Sequence, residues 1–99
     1  MKRAERGKEH LLDVSELEAP EPLVQALSAI ETLEPGDYLR FRHRMKPCHL
    51  YTHLKELGFV ADTREWRGTR CEVFIWRQGD SAAQAAAVAA ASMLEPWRE

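Results

Sequence analysis

Residues 19–45 read APEPLVQALSAIETLEPGDYLRFRHRM, and the change of period inside this stretch decides the fold. Leu23, Ala26, Leu27, Ile30 and Leu33 recur at helical spacing and form one apolar face. Pro20 suits the first helical position, where its missing N–H would be unpaired anyway. Glu21 adds negative charge near the positive end of the helix. Pro35-Gly36 ends the helix. From Tyr38 the period falls to two. Leu39, Phe41, His43 and Met45 point one way, and Tyr38, Arg40, Arg42 and Arg44 the other, as in a half-buried strand.

Upstream, His10 to Val14 is a short apolar run that reads as a first strand, and residues 1–9 form a charged, flexible lead-in. Downstream, Pro47 opens a second helix reaching Leu57, with Leu50, Leu54 and Leu57 turned inward and Gly58 as its C-cap. Phe59–Trp66 and Thr69–Arg77 read as two strands joined by a turn at Arg67-Gly68. In the last strand Cys71, Val73 and Ile75 face one side, and Arg70, Glu72, Phe74 and Trp76 the other. The order is βαβαββ. It predicts an α+β, two-layer sandwich over residues 10–77, a four-stranded mixed sheet with two helices on one face. Leu23, Leu27, Ile30, Leu39, Phe41, Leu50, Leu54, Val73 and Ile75 are the expected core.

Residues 78–99 differ in composition, with eight alanines among the ten residues 82–91. This tail is helix-prone, and Asp80 or Ser81 can cap its start. An isolated helix of this length is marginal in water. Its order therefore depends on whether it docks over Phe74 and Trp76, which the two-layer fold leaves bare.

Ninety-nine residues fit one small domain. No apolar run approaches the roughly 18 residues that span a bilayer, and the polar start lacks a signal core, so the expected location is cytoplasmic. The net charge of -2 is uneven: residues 1–37 carry four basic and nine acidic side chains, residues 38–77 nine basic and four acidic. Two cysteines, Cys48 and Cys71, make no disulfide framework and no zinc-binding pair.

The run Leu12-Asp13-Val14-Ser15-Glu16-Leu17-Glu18-Ala19-Pro20-Glu21-Pro22, followed by Leu33-Glu34-Pro35-Gly36, resembles the TusA/SirA sulfur-carrier proteins. Those carry Leu-Asp-x-x-Gly-Leu-x-Cys-Pro-x-Pro before a helix that ends in Leu-x-Pro-Gly. The resemblance implies the βαβαββ fold, with strand order 1-2-4-3 and strand four antiparallel to the rest. Two positions depart from it: Glu16 replaces the family glycine and Ala19 the carrier cysteine. That cysteine holds persulfide sulfur at a helix start, where the positive helix end favours a thiolate. Alanine has no nucleophile, so relay through position 19 is excluded. His43-Arg44-Met45-Lys46-Pro47-Cys48-His49-Leu50-Tyr51 is similar to a segment of a cysteine-lacking branch, the domain of unknown function 2249. That branch carries no established activity and implies no cofactor.

Ala19, Pro20 and Pro22 thus mark the equivalent of the carrier position. Cys48, flanked by Lys46 and His49 at a helix start, is a candidate relocated thiol, and the only catalytic candidate; an inert cysteine is the plainer expectation. His49 and His53 share a helix face, and His43 is close in sequence. The three could bind a metal, but no carboxylate or thiolate completes a shell and the expectation is no metal. Arg40, Arg42 and Arg70 with Phe74 and Trp76, joined by Arg44, Arg64 and Trp66, suit a partner-binding or RNA-binding sheet face. A protein partner, or the tail, ranks ahead of nucleic acid because the pI is near 6.1. Three functions follow in order: a non-catalytic binding or adaptor domain, a sulfur or redox carrier using Cys48, and an RNA-binding module.

Overall fold

The computed structural model describes residues 7–67 and 70–98. Along the chain lie β1 (Glu9–Asp13), α1 (Glu21–Glu31), β2 (Tyr38–His43), α2 (Cys48–Leu57), β3 (Phe59–Trp66), β4 (Arg70–Arg77) and α3 (Ser81–Ala91). The sheet order is β1-β2-β4-β3. β1 runs parallel to β2, and β4 is antiparallel to both β2 and β3. This is the mixed four-stranded sheet that the sequence implies, with α1 and α2 together on one face.

That face holds the main core. Val14, Ile30, Leu39, Phe41, Leu50, Leu54, Cys71, Val73 and Ile75 are buried in one cluster. Leu23 and Leu27, expected at its centre, are only partly buried at its margin, while Ala26 is fully enclosed. The helix face is therefore rotated toward Ala26 and Ile30, the residues small or central enough to meet the sheet. Leu57, expected inside, is 56% exposed. It is the last residue of α2, where Gly58 at φ 82° turns the chain away in the left-handed conformation that glycine adopts without strain.

Element ends move by a residue or two. Glu9 belongs to β1 rather than to a flexible lead-in, because it pairs with Tyr38 and the Tyr38 N–H donates to the Lys8 carbonyl at 3.1 Å. Residues 1–6 of that lead-in, Gly68 of the expected turn and Thr69 of the expected last strand lie outside the described residues. Pro20 is the N-cap of α1, not its first residue, and Pro22 takes the second helical position. The Ala19-Pro20 peptide is cis. β2 stops at His43, and Met45, expected to point inward, is exposed. The Arg44 N–H leaves the ladder to donate to His43 Nδ1 at 2.9 Å, and Pro47 removes a further ladder donor.

The opposite sheet face is covered as well, which adds a third layer to the expected two. Ala83, Ala87 and Ala91 of α3 are buried against Tyr38, Phe74 and Trp76. Their spacing of four puts three methyl groups on one stripe, so the helix can lie close to the aromatic rings. Asp80 caps this helix by accepting the Ala83 N–H at 3.1 Å. It also accepts the Gly36 N–H at 2.8 Å, tying the helix start to the α1–β2 turn. Beyond α3 the chain pairs along the outer edge of β3. The Glu65 N–H donates to the Glu95 carbonyl at 2.8 Å and the Trp97 N–H to the Thr63 carbonyl at 3.2 Å. Trp97 then packs against the α1/α2 core, so the tail wraps from one face to the other.

Candidate functional site

The starts of α1 and α2 open on one pocket of about 500 Å³. Ala19, Pro20, Pro22 and Leu23 line it from the α1 side, and Pro47, Cys48, His49 and Leu50 from the α2 side. Phe41 and His43 of β2 line it from the sheet. Proline explains why both helices begin here: it fixes φ near the helical value and spares an N–H at the helix start. The result joins two segments that the sequence reading kept apart, the carrier-equivalent position Ala19-Pro20-Pro22 and the Cys48-His49 segment.

Cys48 is exposed at the first residue of α2. Cys71 is buried, and its S–H donates to the Met45 carbonyl at 3.2 Å. Burial, aided by the neighbouring Glu72 carboxylate, pushes its thiol up to about 11, so it stays protonated and inert.

The three histidines do not form a metal site. His43 is 6% exposed at the end of β2, packed edge-on to Phe41 with ring centroids 5.9 Å apart. His49 and His53 lie exposed on α2. Among the described residues no three His, Cys, Asp or Glu side chains are placed to hold a metal ion. The i, i+4 spacing did put His49 and His53 on one helix, but strand alternation sends His43 inward. Burial and the Arg44 guanidinium hold the His43 imidazole below its usual range, against the pull of Asp13.

Arg44 closes the pocket rim. Its guanidinium donates to the Ser15 carbonyl at 2.6 Å and the Leu17 carbonyl at 3.0 Å, and lies 3.4 Å from the Glu18 carboxylate. Arg44 thereby clamps the β1–α1 loop against the end of β2.

Of the occupants expected for the face with Arg40, Arg42, Arg70, Phe74 and Trp76, the tail is the one that covers Phe74 and Trp76. Phe74 and Trp76 are buried under α3. Arg40 and Arg42 both donate to the carboxylate of Glu72, which is fully buried between them. The Arg42 guanidinium lies 4.0 Å above the Trp66 ring, and those of Arg67 and Arg70 lie 5.1 and 5.6 Å from it. Arg64 pairs with Asp62 at 3.0 Å and donates to the Leu94 carbonyl at 3.1 Å. The aromatic surfaces on which bases would stack are covered by a helix or by the protein's own arginines. Glu72 was the missed residue. The strand register pairs it with Arg42, and an acid alternating onto an arginine-rich face was the available signal.

A family model described as "Uncharacterized conserved protein (DUF2249)" matches residues 11–77, the span from β1 to the end of β4. No curated protein and no solved structure matches the chain. The match covers about two thirds of the sequence and takes in every pocket residue. The chain therefore belongs to the DUF2249 family of uncharacterized conserved proteins.

Proposed function

We propose that this chain is a non-catalytic binding or adaptor domain on a TusA/SirA-like scaffold, with the pocket at the starts of α1 and α2 as its binding site. The observation that carries the reading is the placement of Ala19 in the wall of that pocket. The position that holds a nucleophile in the carriers is here a methyl group facing a cavity of ligand size. The Pro20-Glu21-Pro22 helix start, the Pro35-Gly36 exit and the β1-β2-β4-β3 order support the scaffold. A protein that delivers or receives the bound group is the expected partner.

The test uses Nile red, an uncharged dye that brightens in apolar surroundings. The native chain gives one saturable site. Ala19→Trp, which fills the cavity from an exposed position, weakens that site at least about tenfold while the thermal midpoint holds. Equal dye binding by the variant would move the site elsewhere.

A second reading rests on the exposure of Cys48 in the same wall. There the chain carries sulfur or redox equivalents on that thiol. Alkylation at neutral pH no faster than that of a free cysteine in a denatured peptide removes this reading. Rapid alkylation, with a persulfide retained on Cys48 by mass, would put it first.

A further inference from the structure

Three donor groups belong to pocket-lining residues and meet no acceptor among the described residues. The N-caps of α1 and α2 are Pro20 and Pro47, and neither helix start has a side-chain cap. In their first turns the Glu21, Cys48 and Leu50 amides bend back to nearby carbonyls. Those of Leu23 and His49 meet no acceptor among the described residues. α3 shows what the same chain does where no ligand is needed, since Asp80 caps it with a carboxylate. The third donor is His43. Its Nδ1 accepts the Arg44 N–H, which leaves the proton of the neutral ring on Nε2. The ring lines the pocket, only 6% exposed, and Nε2 has no acceptor among the described residues.

We propose that the pocket takes a small amphiphilic carboxylate, its anionic head at the converging starts of α1 and α2 beside His43 Nε2–H and its hydrocarbon or aryl body along Leu17, Leu23, Phe41 and Leu50. This rests on the pocket being the binding site proposed above. Free helix-start amides and the positive ends of two helices favour an anion. The walls decide what kind. Apart from Glu18, Arg44, Lys46 and the His43, Cys48 and His49 side chains, the lining is apolar. A cavity of about 500 Å³ is far larger than a bare oxyanion and suits an attached body. The charge available is also modest. The Arg44 guanidinium is already engaged with two carbonyls and with Glu18, the Lys46 ammonium lies 5.8 Å from the Tyr51 ring, and the Glu18 carboxylate in the same lining offsets one positive charge, so the site matches one negative charge better than two.

Calorimetric titration of the full chain with octanoate and phenylacetate, against octanamide, phenylacetamide and inorganic phosphate, tests the proposal. Each carboxylate binds about tenfold or more tighter than its amide, and phosphate binds more weakly than either carboxylate. Cys48→Asp places a carboxylate at the exposed first residue of α2, where it occupies the helix start from within. Carboxylate affinity then falls about tenfold relative to amide affinity. Equal binding of acids and amides overturns the carboxylate and leaves an apolar pocket. Phosphate binding as tightly as octanoate overturns the need for a body. No binding of any acid, with Nile red still bound, overturns this inference alone. Loss of the dye site as well overturns the pocket reading beneath it.

Discussion

The two faces of the sheet are closed by different means. On the α1/α2 face, large aliphatic side chains from two helices meet the strands, and the helix starts stop short and leave a pocket. On the α3 face, alanine methyls lie on Tyr38, Phe74 and Trp76, and past the helix the Glu72 clamp continues the cover with charge paired to charge. On the α3 face Arg40 and Arg42 are engaged by Glu72. At the pocket the Leu23 and His49 amides and His43 Nε2 meet no acceptor among the described residues, and that difference locates the candidate site.

The largest test of this contrast is whether both faces are true core. Phe74→Ala beneath α3 is expected to cost about 3–5 kcal/mol, and Ile30→Ala beneath α1 about 2–5 kcal/mol. Urea denaturation of the two variants measures both. If Phe74→Ala cost under about 0.5 kcal/mol, α3 would be a loosely held cover and the second face would have to be counted as open. Next comes Glu72→Gln, which keeps the shape but leaves two guanidiniums sharing a neutral amide. A loss of about 1.5–3 kcal/mol is expected, since hydrogen bonds to charged groups carry about that much. A neutral result would mean that Glu9 and Asp13, at 3.3 and 4.0 Å from Arg40 and Arg42, take over the pairing.

The α1/α2 face was largely legible in the sequence, because period, proline and glycine signals all point the same way there. Leu39, Phe41, Val73 and Ile75 alternate, Pro20 and Pro47 announce helix starts, and Gly58 announces an end. Legibility fails where a side chain's fate depends on a partner far along the chain. Arg40 and Arg42 look like an exposed basic stripe until β4 brings Glu72 between them. Phe74 and Trp76 look bare until α3 folds back over them. The tail was readable as helix-prone, yet its docking depends on Asp80 reaching Gly36 across 44 positions. The pocket was invisible for the same reason, since its walls come from residues 17–23 and 41–50. Only its parts, Ala19 and Cys48, drew attention.

A smaller effect separates capped from uncapped helix starts. Asp80→Ala removes the acceptor of the Ala83 and Gly36 amides and is expected to cost about 0.5–2 kcal/mol. Tryptophan emission reports whether Trp76 is uncovered at the same time. A stability change with unmoved emission would show that the cap stabilises α3 without deciding where it docks.

The smallest expected effect is the pH dependence, and it too divides the faces. His43 has its imidazole held below the ordinary value of 6.5. Between the folded value and 6.5 the unfolded chain binds more protons than the native chain, so stability falls as pH drops through that window and is fully present above it. The groups facing His43 are Arg44, which strengthens the shift, and Asp13, which opposes it. On the alkaline side the signs reverse. The Cys71 thiol is raised from 9.0 to about 11, so its contribution is present below 9.0 and fades as pH climbs through 11. The Tyr38 phenol under α3, raised by burial and by its hydrogen bond to Glu9, adds to the same limb from the other face. A plateau between roughly pH 6.5 and 9 is therefore expected, with its acid edge set from the pocket face. His43→Gln should flatten the acid edge while the alkaline edge stays, and Cys71→Ala should do the reverse. An acid edge that survives His43→Gln unchanged would mean that His43 accepts a proton as easily folded as unfolded.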